Sequence, residues 1–208
     1  MIVLFILLAI LLVVAILFVI FFPKMHKKYL RKNYVSIYGK QIYKIALKQD
    51  YYLINRLLLK GNDETSIDID HFLCGNKYIY VIKDYYFEGG LSAKEYDRAW
   101  VYYHKSGKVE TKEKIDNPIL LNKERVKLLC KITDLDPSLI ISVVLINNDC
   151  QFSKFEGDSK KDFLVTRANL KRFIKSFENR DIPNIKDSQL QIAVKDIAKL
   201  NERKKHNG

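Results

Sequence analysis

The chain has 208 residues, with 36 Lys and Arg against 24 Asp and Glu, for a formal charge of +12. Apart from its apolar N-terminus, that length holds one domain with a real core and hardly two. The positive excess points to polyanions, nucleic acid or an acidic membrane surface, and charge alone does not separate the two.

Residues 1–22 (MIVLFILLAILLVVAILFVIFF) carry no charge. As a helix they reach about 33 Å, enough to cross a hydrocarbon core of about 30 Å. Pro23, Lys24, His26, Lys27, Lys28, Arg31 and Lys32 follow directly. A cleavable signal peptide has its charge first, a shorter apolar run and a small-residue cleavage site, and none of these is present. The pattern predicts a transmembrane anchor over 1–22 and a basic juxtamembrane linker over 23–35. With the positive flank on the inner side, the expectation is a single-pass protein of the cell membrane with residues 24–208 in the cytoplasm. The same flank would draw anionic lipid at about 1 kcal/mol per basic residue near the surface.

Ile37, Ile42, Ile45 and Ala46 recur at helical spacing over 36–49. Residues 51–59 read as a strand, and Gly61-Asn62-Asp63 as a turn. Residues 66–74 alternate, with Ile67, Ile69, His71 and Leu73 on one face and Asp68 and Asp70 on the other. Gly75-Asn76 predicts a tight hairpin into a strand over 77–87, rich in aromatic and β-branched residues. A further hairpin is expected from Ala99 to beyond Gly107. Asn117-Pro118 opens a helix to about Ile132. Leu139 to Ile146 is a near-continuous apolar run, as a central strand covered on both sides requires. A short strand at 163–165, a helix capped by Thr166 and a last helix from Asp187 or Ser188 complete the chain. Helices therefore pack on a mixed sheet, which makes the soluble part α/β.

Cys74, Cys130 and Cys150 form no Cys-x-x-Cys pair and read as small buried thiols in a reducing cytosol. No nucleophile elbow, P-loop or dinucleotide fingerprint occurs. His71, on an apolar strand face, reads as a core histidine.

An ordered set of pieces stands out: Gly39 in the first helix, Ile69-Asp70-His71-Phe72, Tyr78-Ile79-Tyr80-Val81-Ile82, the loop Tyr86-Phe87-Glu88-Gly89, Trp100, Asn117-Pro118, and the strand Leu139 to Ile146. From Ser36 to Phe152 the chain resembles the nuclease-related domain (NERD) family of the restriction-endonuclease-like superfamily. The resemblance implies a restriction-endonuclease-like mixed sheet flanked by helices over 36–152, with 153–208 as a C-terminal strand and helix extension packing on the same domain.

In such nucleases an Asp on one strand and a Glu-x-Lys on the next hold a divalent metal and prepare the attacking water. Asp70 falls on the family's aspartate. Lys83 stands where the Glu is expected and Tyr85 where the Lys is expected. Lys40 and Gln41 occupy the neighbourhood of the first-helix glutamate, and Leu121 replaces a glutamine. An ammonium in place of a carboxylate changes the local charge by two units where a dication would sit. The expectation is a vestigial site of Asp70, Lys83 and Tyr85, with a Lys83–Asp70 ion pair and no metal or other cofactor. The predicted activity is binding of nucleic acid or another polyanion through Lys24, Lys27, Lys28, Arg31, Lys32 and Lys40. Two alternatives stay open. One is an active nuclease with a migrated site, Asp70 holding Mg2+ or Mn2+ with Asp84 through a register shift. The other is a membrane-tethered scaffold for an unknown protein partner.

Overall fold

The computed structural model describes residues 2–61, 65–106, 109–152, 155, 157 and 159–205. The chain divides into two compact units, one ending at Ile37 and the other starting at Tyr38.

The first unit belongs to helix α1, Ile2–Gln49, which contains Pro23. The segment expected as a linker over 23–35 is therefore helical. One helix is long and apolar enough to cross a membrane: its most apolar stretch has a mean hydropathy of 3.3, and none of it is buried. Large apolar side chains from Ile6 to Phe22 are exposed on every face. Such a helix has no partner in water and suits a lipid surround.

The second unit is mixed α/β. The last turns of α1 bury Tyr38, Ile42, Ile45 and Ala46, the 3.6-residue period expected of a helix laid on a sheet. A five-stranded sheet has the order β1-β2-β3-β7-β9. Its strands are β1 Tyr52–Lys60, β2 Ser66–Cys74, β3 Ile79–Asp84, β7 Ile140–Ile146 and β9 Asp162–Thr166. The first three pair antiparallel, and β3-β7 and β7-β9 pair parallel. All seven residues of β7 are buried, as its unbroken apolar run requires.

A second sheet has the order β6-β5-β4-β8, from β4 Gly90–Ser92, β5 Ala99–Ser106, β6 Val109–Asp116 and β8 Gln151–Phe152. Trp100 is fully buried between this sheet and the first, among Phe87, Leu91, Ile119, Val144 and Ile146. Helix α2, Pro118–Thr133, starts at Asn117, whose Oδ1 accepts from the Ile119 and Leu120 amides while its Nδ2 donates to the Glu95 and Asp97 carbonyls. One side chain thus caps the helix and ties down the preceding loop. Within α2, Asn122 donates to the Val81 carbonyl and Ser142 Oγ, fixing the helix over the middle strands.

Helices α3 (Leu170–Glu178), α4 (Asp187–Leu200) and α5 (Glu202–Lys205) follow. Leu190 and Ile197 join the core formed by β1, β2 and α2. The three thiols lie within this fold, and burial pushes each of them up, Cys150 to about 11, so they stay neutral.

Three expectations change. The strand placed at 77–87 ends at Asp84. The Asn147 side chain replaces strand pairing beyond it, accepting from the Phe87 amide and donating to the Phe87 carbonyl. Thr166 does not cap a helix: it pairs with Ile146 at the end of β9, and α3 starts after Asn169. The strands β4 and β8 have no counterpart in the sequence pattern, since three and two residues carry no readable period.

Candidate functional site

Period-two alternation on β2 sets Asp68 and Asp70 on one face and Ile67, Ile69 and His71 on the other. The last paired residues of the β2–β3 ladder are His71 and Ile82. One step further, Asp70 and Lys83 come together. Lys83 Nζ lies 3.0 Å from Asp70 Oδ1 and 2.9 Å from Asp68 Oδ2. Asp70 Oδ2 accepts from the Asp84 amide at 2.9 Å, so both oxygens of Asp70 are engaged. The remaining Asp68 oxygen takes Arg203 from α5 at 2.7 Å.

Lys83 and Asp70 keep only 15% and 16% of their side-chain surface exposed. Burial works against the Lys83 charge, but the hydrogen bonds and charges of Asp68 and Asp70 outweigh it and hold the ammonium above its ordinary value. Lys83 therefore carries its charge at neutral pH.

Asp84 points away from Lys83, to the opposite face. Its Oδ2 lies 2.9 Å from His71 Nε2, and His71 Nδ1 lies 2.6 Å from Asn55 Oδ1. This Asn55–His71–Asp84 chain crosses three adjacent strands, with His71 and Asp84 buried and Asn55 at its exposed end. Burial pushes the Asp84 carboxyl up, and the Asp70 charge adds to that against the opposing His71 contact. Asp84 Oδ1 is buried without a hydrogen-bond partner among the described residues. Gly39 of α1 packs directly on the ring; a Cβ there would lie 3.3 Å from His71 Cε1.

Tyr85, expected beside Lys83, joins the aromatic cluster instead. Its ring stacks on Phe87 at 5.8 Å with an interplanar angle of 3°, and its amide donates to the Leu145 carbonyl. Gln41, near the expected first-helix glutamate, donates to the Arg167 carbonyl at 2.9 Å. The juxtamembrane residues Lys24, Lys27, Lys28, Arg31 and Lys32 are exposed in the first unit, and Lys40 is exposed in the second.

A divalent metal of the kind such folds hold needs several oxygen donors carrying net negative charge. Here the two carboxylates converge on an ammonium, and a guanidinium takes a third oxygen. Among the described residues no group of three His, Cys, Asp or Glu could hold a metal ion. The side chains present do not fit the ion.

Period two accounts for Asp68 beside Asp70 and for His71 opposite them. The partnership with Asn55 depends on the β1–β2 register, and Arg203 lies 135 residues from Asp68 in sequence. Neither has a local signal.

Against known proteins, the family model for the nuclease-related domain, NERD, matches residues 36–147. Neither the curated proteins nor the solved structures provide a match.

Proposed function

This chain belongs to the nuclease-related domain family, and from that premise we propose that it is a membrane-anchored, catalytically degenerate nuclease relative that binds nucleic acid without cutting it. The observation that carries this reading is the Lys83 ammonium seated between Asp68 and Asp70. In the restriction-endonuclease-like arrangement that place belongs to a metal, and the charge there is now the protein's own. Such a site neither polarises a phosphate nor generates hydroxide. The net charge of +12 keeps attraction for a polyanion.

The apolar helix holds the domain at a cell membrane, and the Lys24 to Lys32 flank faces the cytoplasm and its anionic lipids. Lys24, Lys27, Lys28, Arg31, Lys32 and Lys40 contribute to polyanion attraction.

The test uses the full chain in nanodiscs of neutral lipid, with labelled single- and double-stranded DNA and RNA, in EDTA, Mg2+ or Mn2+. The reading expects salt-dependent binding and intact substrate under all three conditions. Metal-dependent cleavage abolished by Asp70→Ala would establish the active nuclease instead. Absence of salt-dependent binding would leave a tethered scaffold with a protein partner.

A further inference from the structure

The four-stranded sheet buries one face, through Leu91 and Trp100, and leaves the other open. Across that open face the register aligns Lys112, Tyr103, Gly90 and Gln151 in one row, with Lys114, Val101 and Ser92 in a neighbouring row. The glycine leaves a gap in the row. Around it lies an open cavity of about 690 Å³, lined by Gly90, Ser92, Tyr103, Gln151 and Phe152 among others. Tyr103 is 46% exposed and Phe152 37%. Lys112 sits over the Tyr103 ring, 5.8 Å from its centroid. Lys112 on β6 and Gly90 on β4 are the cross-strand neighbours of Tyr103 on either side, and the cavity lies at the Gly90 end of the row. Lys105 is paired with Glu110; Lys112 and Lys114 make no ion pair among the described residues.

We propose that this notch takes one base of a single-stranded nucleic acid, stacked on Tyr103. The adjoining phosphates lie on Lys112 and Lys114, and the Gln151 amide and Ser92 hydroxyl meet the base edge. The inference rests on the nucleic-acid reading above and gives it a location away from Asp70 and Lys83. An exposed ring beside unpaired cations is the combination that single-strand binders use, and a π-face serves every base. A duplex keeps its bases stacked inside and presents none to such a notch. Nothing in the row distinguishes ribose from deoxyribose, so DNA and RNA bind alike.

Gly90 supplies the sharpest variant. A Cβ there would meet the Gln151 carbonyl oxygen at 3.4 Å and Tyr103 Cβ at 3.9 Å, both ordinary contacts. Gly90→Val therefore seats its Cβ at ordinary contact distances and carries its methyl groups into the notch.

The experiment measures fluorescence anisotropy of labelled oligo(dT) and oligo(U) with the full chain in neutral nanodiscs. Wild type is expected to bind both within about threefold of each other. Tyr103→Ala weakens both about tenfold, the scale of one lost base stack, and Tyr103→Phe restores binding. Gly90→Val weakens binding similarly at an unchanged melting temperature. Lys112→Gln lowers affinity and flattens the salt dependence by about 0.7 in log–log slope. Wild-type affinity in both Tyr103→Ala and Gly90→Val would overturn the inference and leave the nucleic-acid reading standing. A strong preference for one sugar would overturn the sugar-blind notch. No binding of either oligonucleotide by wild type would remove both the inference and the reading beneath it.

Discussion

Lys83→Glu inverts the charge on which the account rests. Lys83 Nζ lies 3.0 Å from Asp70 and 2.9 Å from Asp68. At an effective dielectric of about 20, a unit pair at 3 Å attracts by about 5 kcal/mol before desolvation. Asp68 is 41% exposed, so most of its share is screened by water. Asp70 is the better-shielded partner, and losing its pair leaves a net cost of about 2 kcal/mol. In the variant a third carboxylate faces Asp68 and Asp70, and their repulsion adds to that cost. Melting of the full chain in detergent, followed by the single, fully buried Trp100, is expected to fall clearly in EDTA. Mn2+ then reverses the effect. At a hundredfold excess over its dissociation constant a bound ion stabilises by about 2.7 kcal/mol, or roughly 5–10 °C for a domain of this size. Wild type shifts with Mn2+ by nothing beyond the general effect of salt. A wild-type shift as large as the variant's, or a variant blind to Mn2+, would mean that Lys83 does not stand in the cation's place.

Other consequences are open to measurement. A double-mutant cycle of Lys83→Met with Asp70→Asn should give a coupling of about 1–2 kcal/mol in urea unfolding, and coupling near zero would mean that the pair contributes only its geometry. Asp84 holds its proton above the ordinary 3.8 because it is buried. The folded state therefore binds that proton more tightly than the unfolded chain, and this group's contribution weakens as pH rises from 3.8 through its folded value. Asp84→Asn should remove that downward slope, seen as the difference between the two proteins' stability–pH curves; parallel curves would count against it. Glu178 accepts from the Asn76 and Lys77 amides and the Tyr80 hydroxyl, which ties α3 to the β2–β3 hairpin. Glu178→Ala should cost about 2 kcal/mol in urea unfolding, and a loss below about 0.5 would show that water replaces the carboxylate. Gly89→Ala would place a Cβ 1.8 Å from the Tyr103 carbonyl oxygen, so it should lower the melting temperature markedly, and an unchanged temperature would contradict the close approach.

Much of the fold could be read from periods. The alternation of Ile67, Ile69 and His71 against Asp68 and Asp70 placed both faces of β2, and the unbroken run of β7 marked its burial on both sides. The facing of Lys83 and Asp70 followed from strand alternation joined to the family resemblance. Short elements escaped because tertiary contact sustains them: β4 and β8 are held by neighbours, and Asn147 ends the long aromatic strand with its own amide. Thr166 has the residue type of a helix cap, but pairing to Ile146 keeps it in the sheet. Arg203 on Asp68 and Asn55 on His71 depend on chain reversals and register that no local window contains.

The most direct measurement is anomalous scattering from crystals of the protein soaked in millimolar Mn2+. No manganese peak is expected between Asp68 and Asp70, with the Lys83 ammonium ordered within hydrogen-bond reach of both. An ordered manganese ligated by Asp70 and a second carboxylate, with Lys83 displaced, would contradict it.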